Sequence, residues 1–521
     1  MGEKLPFRQR IFSDTGILVL LALLKVAIHI PYFNSYGYFR DELYYIACSE
    51  HLAWGYVDQP PLSIFVLAIV RFLLGDSLIA IRIVPTLAGA VTVFLAGLMA
   101  RQLGGGRFAQ ILAALAVLTS PVVLGNGGRY FSMNSFDLLF WALAGYIVIV
   151  IVTKNEQRLW VLFGLIAGLG VLNKYSMGFF LAGLLVAMLL TSLRKQFMSK
   201  WFWMGGAIGV AIVIPHHLWE YRNGFPTLEF IHNATNLKNT PTPPWAFFVG
   251  QLRDTGFANS IIWILGLVFC LFHSAGKRYR FLGLLYALLF ILMASQNSKS
   301  YYLTPYYPML LAPGAVAFEF FTRKASRWFL KPVLVSAMLI LGLVAAPFAL
   351  PILPVDSFIQ YQYGLGMSPP REERGQTGDL PQYYADMFGW PEFADTVASV
   401  YRRLTPEEQQ ECLIYVRNYG EAAAIDFFGR QHGLPRATCA HNSYWYWKPG
   451  GWSGKVAILL GGSRDTTECR KDLERFFEQV EFGAMTKSEH AMPYESGRSF
   501  FICRGAKVSL EQVWERDRVF M

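Results

Sequence analysis

Between residues 14 and 350 the chain is a succession of long apolar runs separated by short polar breaks, and after Leu350 that pattern stops. The apolar runs predict membrane-spanning helices near 14–33, 79–100, 108–125, 135–153, 158–172, 177–193, 201–217, 257–273, 281–295, 303–321 and 331–350. That is about eleven spans, several of them short for a hydrocarbon core of roughly 30 Å. Lys4, Arg8 and Arg10 precede the run from Ile17 to Ile30, and no small-residue cleavage site follows it, so an uncleaved first helix is expected. The run Pro61–Leu74 is different. Counting it as a full span inverts every later loop, so it reads as a helix lying at, or dipping into, the outer interface.

From about residue 355 the sequence is charged and turn-rich, with a Pro/Gly/Glu/Arg stretch at Ser368–Asp379 as linker or surface loop. Helix-like and strand-like pieces then alternate. Pro391–Leu404, Glu421–Gln431 and Arg470–Val480 have helical spacing, whereas Glu411–Asn418, Lys455–Gly461 and Ser499–Arg504 read as strands. The expected architecture is therefore a polytopic α-helical membrane domain, residues 1–354, followed by a small α/β domain, residues 355–521. An odd number of spans places that second domain outside the membrane, opposite the N-terminus.

Composition agrees with this class: 54% of the 521 residues are hydrophobic and 16% are charged. The net charge of +10 reflects topology, because the basic residues cluster in alternate short loops. With the N-terminus inside, the inner loops hold Arg101/Arg107, Lys154/Arg158, Arg194/Lys195/Lys200, Lys277/Arg278/Arg280 and Arg323/Lys324/Arg327/Lys331, as the positive-inside rule requires. Nothing in this arrangement points to nucleic acid. Six cysteines without a C-x-x-C give no metal or redox signature, though Cys412, Cys439, Cys469 and Cys503 share the outer domain and could pair there.

Sorted by side, Asp41, Glu42, Asp58, Gln59, Arg129, Asn134, Asp137, Lys174, His216, His217, Glu220, Arg222 and Lys299 all fall in outer loops or at outer helix ends. One explanation is that outer loops are polar because water is there. The other is that they line one site, and the dense stretches Arg40-Asp41-Glu42, Asp58-Gln59-Pro60-Pro61-Leu62, Asn173-Lys174-Tyr175 and Lys299-Ser300-Tyr301-Tyr302 favour it. Two adjacent carboxylates beside a membrane are costly without a function.

On these residues the chain resembles a known family. Asp41-Glu42 after the first helix, a Pro-Pro-Leu opening an interfacial helix and Arg82 leading a span look like the protein O-mannosyltransferase-like branch of the GT-C glycosyltransferases. The lipid A aminoarabinose transferases are relatives in that superfamily. Lys299-Ser-Tyr-Tyr-Leu-Thr-Pro-Tyr-Tyr-Pro is similar to the segment such enzymes place near the lipid phosphate. Asn418-Tyr419-Gly420-Glu421-Ala422 and His441-Asn442-Ser443-Tyr444-Trp445 resemble the extracytoplasmic domain of bacterial members.

The resemblance implies transfer of a sugar from a polyprenyl-phosphate donor to an acceptor on a lipid, glycan or protein at the outer face of a bacterial inner membrane, with inversion. Asp41 is the expected general base, with Glu42 orienting it or the acceptor. Lys174, Arg222 and Lys299, with Arg129 and the Tyr301 and Tyr302 hydroxyls, are the expected partners of the donor phosphate. Arg40, Asp58, Gln59, Asn134 and Asp137 are candidate substrate contacts, Arg40 the weaker one because it could simply neutralise Asp41 or Glu42. Two departures stand out. Gln59-Pro60 occupies the position where lipid A transferases have a Lys before Pro-Pro-Leu, and Asn134 stands where many relatives carry Asp. Asp137, one turn later, either takes over that role or is an N-terminal helix charge favoured by the dipole.

Other polar residues have plainer readings. His216, His217 and Glu220 have metal-like spacing but no second cluster, so interface histidines are expected. Lys25 and His29 either snorkel outward or face the bundle. Gly104-Gly105-Gly106 lacks the strand and lysine of a phosphate loop and reads as an inner-loop hinge. Trp445, Trp447 and Trp452 fit stacking on a sugar or resting on the membrane equally well. A transporter or flippase would distribute charge through the bilayer and show an inverted repeat, and neither is present. A non-catalytic scaffold leaves Asp41-Glu42 unexplained. The sugar, the acceptor and a divalent cation are left open, since Asp41, Glu42, Asp58 and Asp137 are only candidate ligands.

Overall fold

The computed structural model describes residues 13–371, 373–374 and 376–521; Lys4, Arg8 and Arg10 lie outside them. The chain divides into two compact units, each assembled from three segments.

The first unit takes in Met1–Ser35, Leu74–Leu218 and Pro241–Leu353. Each of the eleven apolar segments contains a helix. Among the described residues six helices are long and apolar enough to cross a membrane, or eight if two pairs bent by 105° and 110° each count as one span. Arg107–Leu118, Leu159–Asn173 and Pro308–Phe321 are apolar helices of 12, 15 and 14 residues, shorter than the roughly 20 residues of a straight crossing. Small residues let these helices approach closely. A Cβ on Gly266 would lie 2.0 Å from the Leu310 carbonyl oxygen, and one on Gly314 would lie 1.9 Å from that of Ile262. Helices in lipid gain by such packing, because burial against a neighbour is no drier than burial in acyl chains.

Several polar side chains inside this unit complete the backbone's hydrogen bonding. Lys25 and His29 are buried and face the bundle. Lys25 Nζ donates to the Gly127 carbonyl at 2.8 Å and lies 2.8 Å from His29 Nε2, which itself lies 3.0 Å from the Leu124 carbonyl. Buried Arg82 donates to the Phe33 carbonyl at 2.7 Å. The Gly104–Gly106 turn is a capped helix start: Glu319 accepts from the Gly106 amide at 2.8 Å, and a side chain on Gly106 would collide with that carboxylate.

The second unit comprises Tyr36–Leu73, Trp219–Thr240 and Pro354–Met521. Its centre is a five-stranded sheet of β1 (Leu413–Tyr415), β2 (Ala437–Thr438), β3 (Val456–Leu460), β4 (Phe477–Met485) and β5 (Ser499–Ala506), in the order β2-β1-β3-β5-β4. β1 runs parallel to β2 and β3, and β5 is antiparallel to β3 and β4. Every residue of β3 is buried, as expected for a strand covered on both faces. Leu413, Ala457, Leu459, Phe501 and Cys503 share one core with Cys469, Leu510 and Trp514. On the strands' alternate positions, Phe500 packs on Phe393 of the Trp390–Tyr401 helix, ring centroids 5.3 Å apart.

One sequence expectation needs correcting here. Arg470–Val480 is not one helix: Thr466–Leu473 is helical and Phe477–Met485 is a strand. Leu473, Phe476, Phe477 and Val480 carry the i, i+3, i+4, i+7 spacing of a helix, and pairing of β4 along β5 overrides it. The short helices Val355–Gly364 and Leu510–Arg516 are additional. All six cysteines are buried free thiols. Trp445 packs on Phe520, Trp447 stacks on His51 at 4.2 Å, and Trp452 donates to the Val456 carbonyl, so the three tryptophans serve the unit's own packing.

The close helix approach predicts that Gly266→Leu destabilises the first unit by about 1–3 kcal/mol through overpacking. A lowered thermal midpoint in detergent is the expected result, with Gly206→Leu, where a Cβ meets nothing within 4 Å, as the harmless control.

Candidate functional site

In the second unit the sequence Phe39-Arg40-Asp41-Glu42 opens the Arg40–Glu50 helix, and each of its polar side chains has a separate task. Phe39 is extended at the N-cap, and the Glu42 carboxylate accepts from its amide at 2.9 Å. Glu42 is fully buried and closes the helix start. Asp41, on the first turn, keeps 35% of its side chain exposed and accepts from the Tyr419 hydroxyl at 3.0 Å. Negative charge at this position is favoured by the helix dipole.

Arg40 is buried between several oxygens. Its guanidinium lies 3.4 Å from Asp386 and 3.6 Å from Asp41, and donates to the Tyr494 hydroxyl at 3.1 Å. Burial raises the Asp386 carboxyl to about 7, against the pull of Arg40. Asp58 accepts from Tyr44 at 2.9 Å, and Tyr44 in turn accepts from the Ser443 amide at 3.1 Å. Burial, reinforced by the charge of Asp41, raises Asp58 to about 7 despite the Tyr44 bond. Gln59 is buried with its side chain against the Cys48 thiol. Both C-terminal motifs pack here. Tyr419 lies on Tyr44 with ring centroids 4.5 Å apart, and also meets His441 at 5.0 Å. Burial lowers His441 to about 3, so it is a neutral ring. A cleft of about 230 Å³ opens beside this group, walled by Arg40, Tyr419, His441, Lys238, Glu373 and Glu495.

In the first unit a second group forms around Lys174, which ends the Leu159–Asn173 helix. Its ammonium donates to Asn134 Oδ1 at 2.7 Å, lies 3.5 Å from Asp137, and sits over the rings of Tyr302 and Tyr301 at 5.0 and 5.8 Å. Asp137 is buried and accepts from Ser176 at 2.7 Å. Lys299 is half-buried at the start of the Ser300–Tyr306 turn, where its carbonyl accepts from the Tyr302 amide at 3.2 Å. Asn134, Asp137, Lys174, Tyr301 and Tyr302 are therefore brought together.

The remaining candidates are placed otherwise. Arg129 donates to the Phe348 and Ala349 carbonyls at 3.2 and 3.3 Å, a helix-end role. Arg222, in the second unit, is exposed at the end of the Lys200–Arg222 helix. His216 lies 2.6 Å from the Tyr175 hydroxyl, His217 bonds the Val213 carbonyl of its own helix, and Glu220 accepts from Thr227. Among the described residues no group of three His, Cys, Asp or Glu side chains is arranged to hold a metal ion. Sequence reasoning missed Tyr419, Asp386, Tyr494 and Tyr44 as partners of Arg40, Asp41 and Asp58. Only Tyr419 carried a signal, since the Asn418-x-x-Glu421 capping box marks a helix start beside it.

Residues 58–219 match the family model for dolichyl-phosphate-mannose-protein mannosyltransferases. The chain is 25% identical over 266 residues, 48% of its length and 47% of the relative's, to undecaprenyl phosphate-α-4-amino-4-deoxy-L-arabinose arabinosyl transferase 1 of Pseudomonas fluorescens. It is 23% identical over 216 residues, 41% of its length and 45% of the relative's, to lipid A galacturonosyltransferase RgtD of Rhizobium johnstonii. The chain thus spans about half the length of the curated relatives it matches. The crystal structure of ArnT from Cupriavidus metallidurans bound to undecaprenyl phosphate superposes with a TM-score of 0.61 at 14% identity, covering 94% of this chain and 98% of that one. The fold is that of a GT-C membrane glycosyltransferase, and the chain resembles the aminoarabinose transferases.

The raised Asp58 and Asp386 carboxyls fix the sign of a pH effect. Between pH 4 and 7 the folded unit binds more protons than the unfolded chain, so stability falls as pH rises through that window. Asp58→Asn, which still accepts from Tyr44, is expected to raise the thermal midpoint at pH 8 and leave it near wild type at pH 4.5. An equal shift at both values would contradict the assignment.

Proposed function

We propose that the chain is an integral membrane glycosyltransferase that moves a sugar from a polyprenyl-phosphate donor to an acceptor hydroxyl, inverting the anomeric carbon. The observation that carries this reading is the setting of Asp41. Its carboxylate is partly exposed at a helix start, whereas Glu42 and Asp386 beside it are enclosed. Asp41 takes the acceptor proton as the acceptor oxygen bonds to the anomeric carbon. The bond from that carbon to the donor phosphate breaks with its electron pair going to the phosphate. Tyr419 and Arg40 hold Asp41 in place, and Glu42 acts through the helix cap that presents it.

We assign the leaving phosphate to Lys174 and Lys299, with the Tyr301 and Tyr302 hydroxyls as further donors. Lys174 shares its charge with Asn134 and Asp137, which orders the ammonium before a phosphate arrives. Arg222 is exposed for an anion as well, whereas the carbonyl bonds of Arg129 make it structural. Asp58 and Gln59 are assigned to acceptor or sugar contacts, as neighbouring polar side chains of the group that holds Asp41. The relatives named for undecaprenyl phosphate and lipid A support a lipid-linked donor and an envelope lipid acceptor in a bacterial inner membrane. The basic loops support a cytoplasmic N-terminus, with residues 355–521 as a periplasmic domain.

Purified chain in detergent, given a panel of polyprenyl-phosphate sugars with and without divalent ions, is expected to release free polyprenyl phosphate from one donor. Asp41→Asn should lower that rate by about 10²–10⁴-fold in folded protein. Asp41→Asn protein with near wild-type turnover would remove the role assigned to it. Lys174→Gln is expected to cost on the order of 10²–10³-fold in turnover, measured by the same release of polyprenyl phosphate.

A further inference from the structure

Away from Asp41, the far end of the same helix carries an arginine cluster that the transfer reaction does not use. Glu50 Oε1 accepts from Arg71 at 2.9 Å and also from Arg430, and Oε2 accepts from Arg436 at 3.0 Å. Arg436 also donates to His51 Nε2 at 2.7 Å, and burial together with that guanidinium lowers the His51 pKa, so the ring adds no charge. The other acidic group facing the cluster is Asp426. It accepts from Tyr444 and from the Ala437 amide, and burial raises it to about 6. Three guanidinium groups against these two carboxylates leave a net positive charge. Glu50 and Arg71 are largely enclosed, whereas the Arg430 and Arg436 side chains are 49% and 59% exposed.

The surroundings of this charge are apolar. Arg71 belongs to the Leu62–Leu74 helix, on which Ile69, Phe72 and Leu73 are 60%, 89% and 68% exposed. Leu52 and Trp54, just after Glu50, are also exposed. An apolar helix face exposed to this extent beside a cluster of arginines matches a bilayer surface, where acyl chains meet the one and phosphates meet the other.

We propose that Arg430 and Arg436, held in place by Glu50, bind the phosphate of an anionic glycerophospholipid whose acyl chains lie along the Leu62–Leu74 helix. Glu50 is the organiser. Glu50 takes one terminal nitrogen of each guanidinium, while His51 takes the other terminal nitrogen of Arg436 and the Asp426 carbonyl takes Arg430 Nε, so both side chains are fixed at the surface and their remaining N–H groups, Arg430 Nη1 among them, are left for phosphate oxygens. The site is independent of the chemistry assigned to Asp41, so an inactive Asp41→Asn protein should keep it.

The test uses the full chain in detergent, with thermal unfolding followed against added phosphatidylglycerol and against phosphatidylcholine of the same acyl chains. Phosphatidylglycerol is expected to stabilise wild-type protein at concentrations at least tenfold lower than phosphatidylcholine. Arg430→Gln/Arg436→Gln should abolish that preference, while Arg475→Gln, removing an exposed arginine elsewhere, should keep it. Raising the salt on wild type should erode the preference, which tests the proposal even if the double variant fails to fold. Equal stabilisation by the two lipids, a preference flat in salt, or a preference surviving in the double variant would overturn the proposal. Stabilisation by inorganic phosphate alone matching that of the lipid would overturn it too, since the site would then bind phosphate without a membrane.

Discussion

A guanidinium taken out of water has to be surrounded by acceptors, and in the second unit that requirement organises everything near Asp41. Arg40 is buried, so Asp386, Asp41 and Tyr494 converge on it from chain segments hundreds of residues apart. The same convergence brings the Tyr419 hydroxyl onto Asp41 and the Tyr419 ring onto Tyr44. A side chain that looked like a mere neutraliser is thus the hub that fixes the direction of the proposed base. Burial raises the Asp386 and Asp58 carboxyls, Asp386 against the pull of Arg40, which is the cost of enclosing these acids.

The first unit solves a different problem with the same economy of polar groups. Several of its helices are short or bent, and each helix end leaves backbone groups that lipid cannot satisfy. Lys25 and His29 answer the carbonyls of Gly127 and Leu124, Arg82 answers Phe33, Arg129 answers Phe348 and Ala349, and Glu319 answers the amide of Gly106. Against that background Lys174 is unusual. Its partners are the side chains of Asn134 and Asp137 and two tyrosine rings, an assembly that closes no helix end and can exchange partners with an incoming anion.

What could be read from the sequence follows the range of the interactions involved. Apolar runs are local, and each of the eleven became a helix; bends and short helices were not visible, because hydropathy records composition and not straightness. In the last third, Val456–Leu460 and Ser499–Ala506 declared themselves as strands, while β4 was hidden by a helical spacing that only its pairing with β5 overrides. Asp41 stood out because two carboxylates beside an apolar run are rare. Its split from Glu42 into exposed acid and buried cap was not legible, since both look alike in sequence. Tyr419, Asp386 and Tyr494 were missed as its surroundings because they reach Arg40 and Asp41 only through tertiary contact.

The configuration of the transferred sugar tests the central claim most directly. With the donor identified, the anomeric centre of the purified product can be assigned by proton NMR and compared with that of the donor. A single displacement assisted by Asp41 as proton acceptor predicts the opposite configuration, with one free polyprenyl phosphate formed per sugar transferred. A product that retains the donor configuration would require a covalent sugar intermediate and would contradict the role given to Asp41.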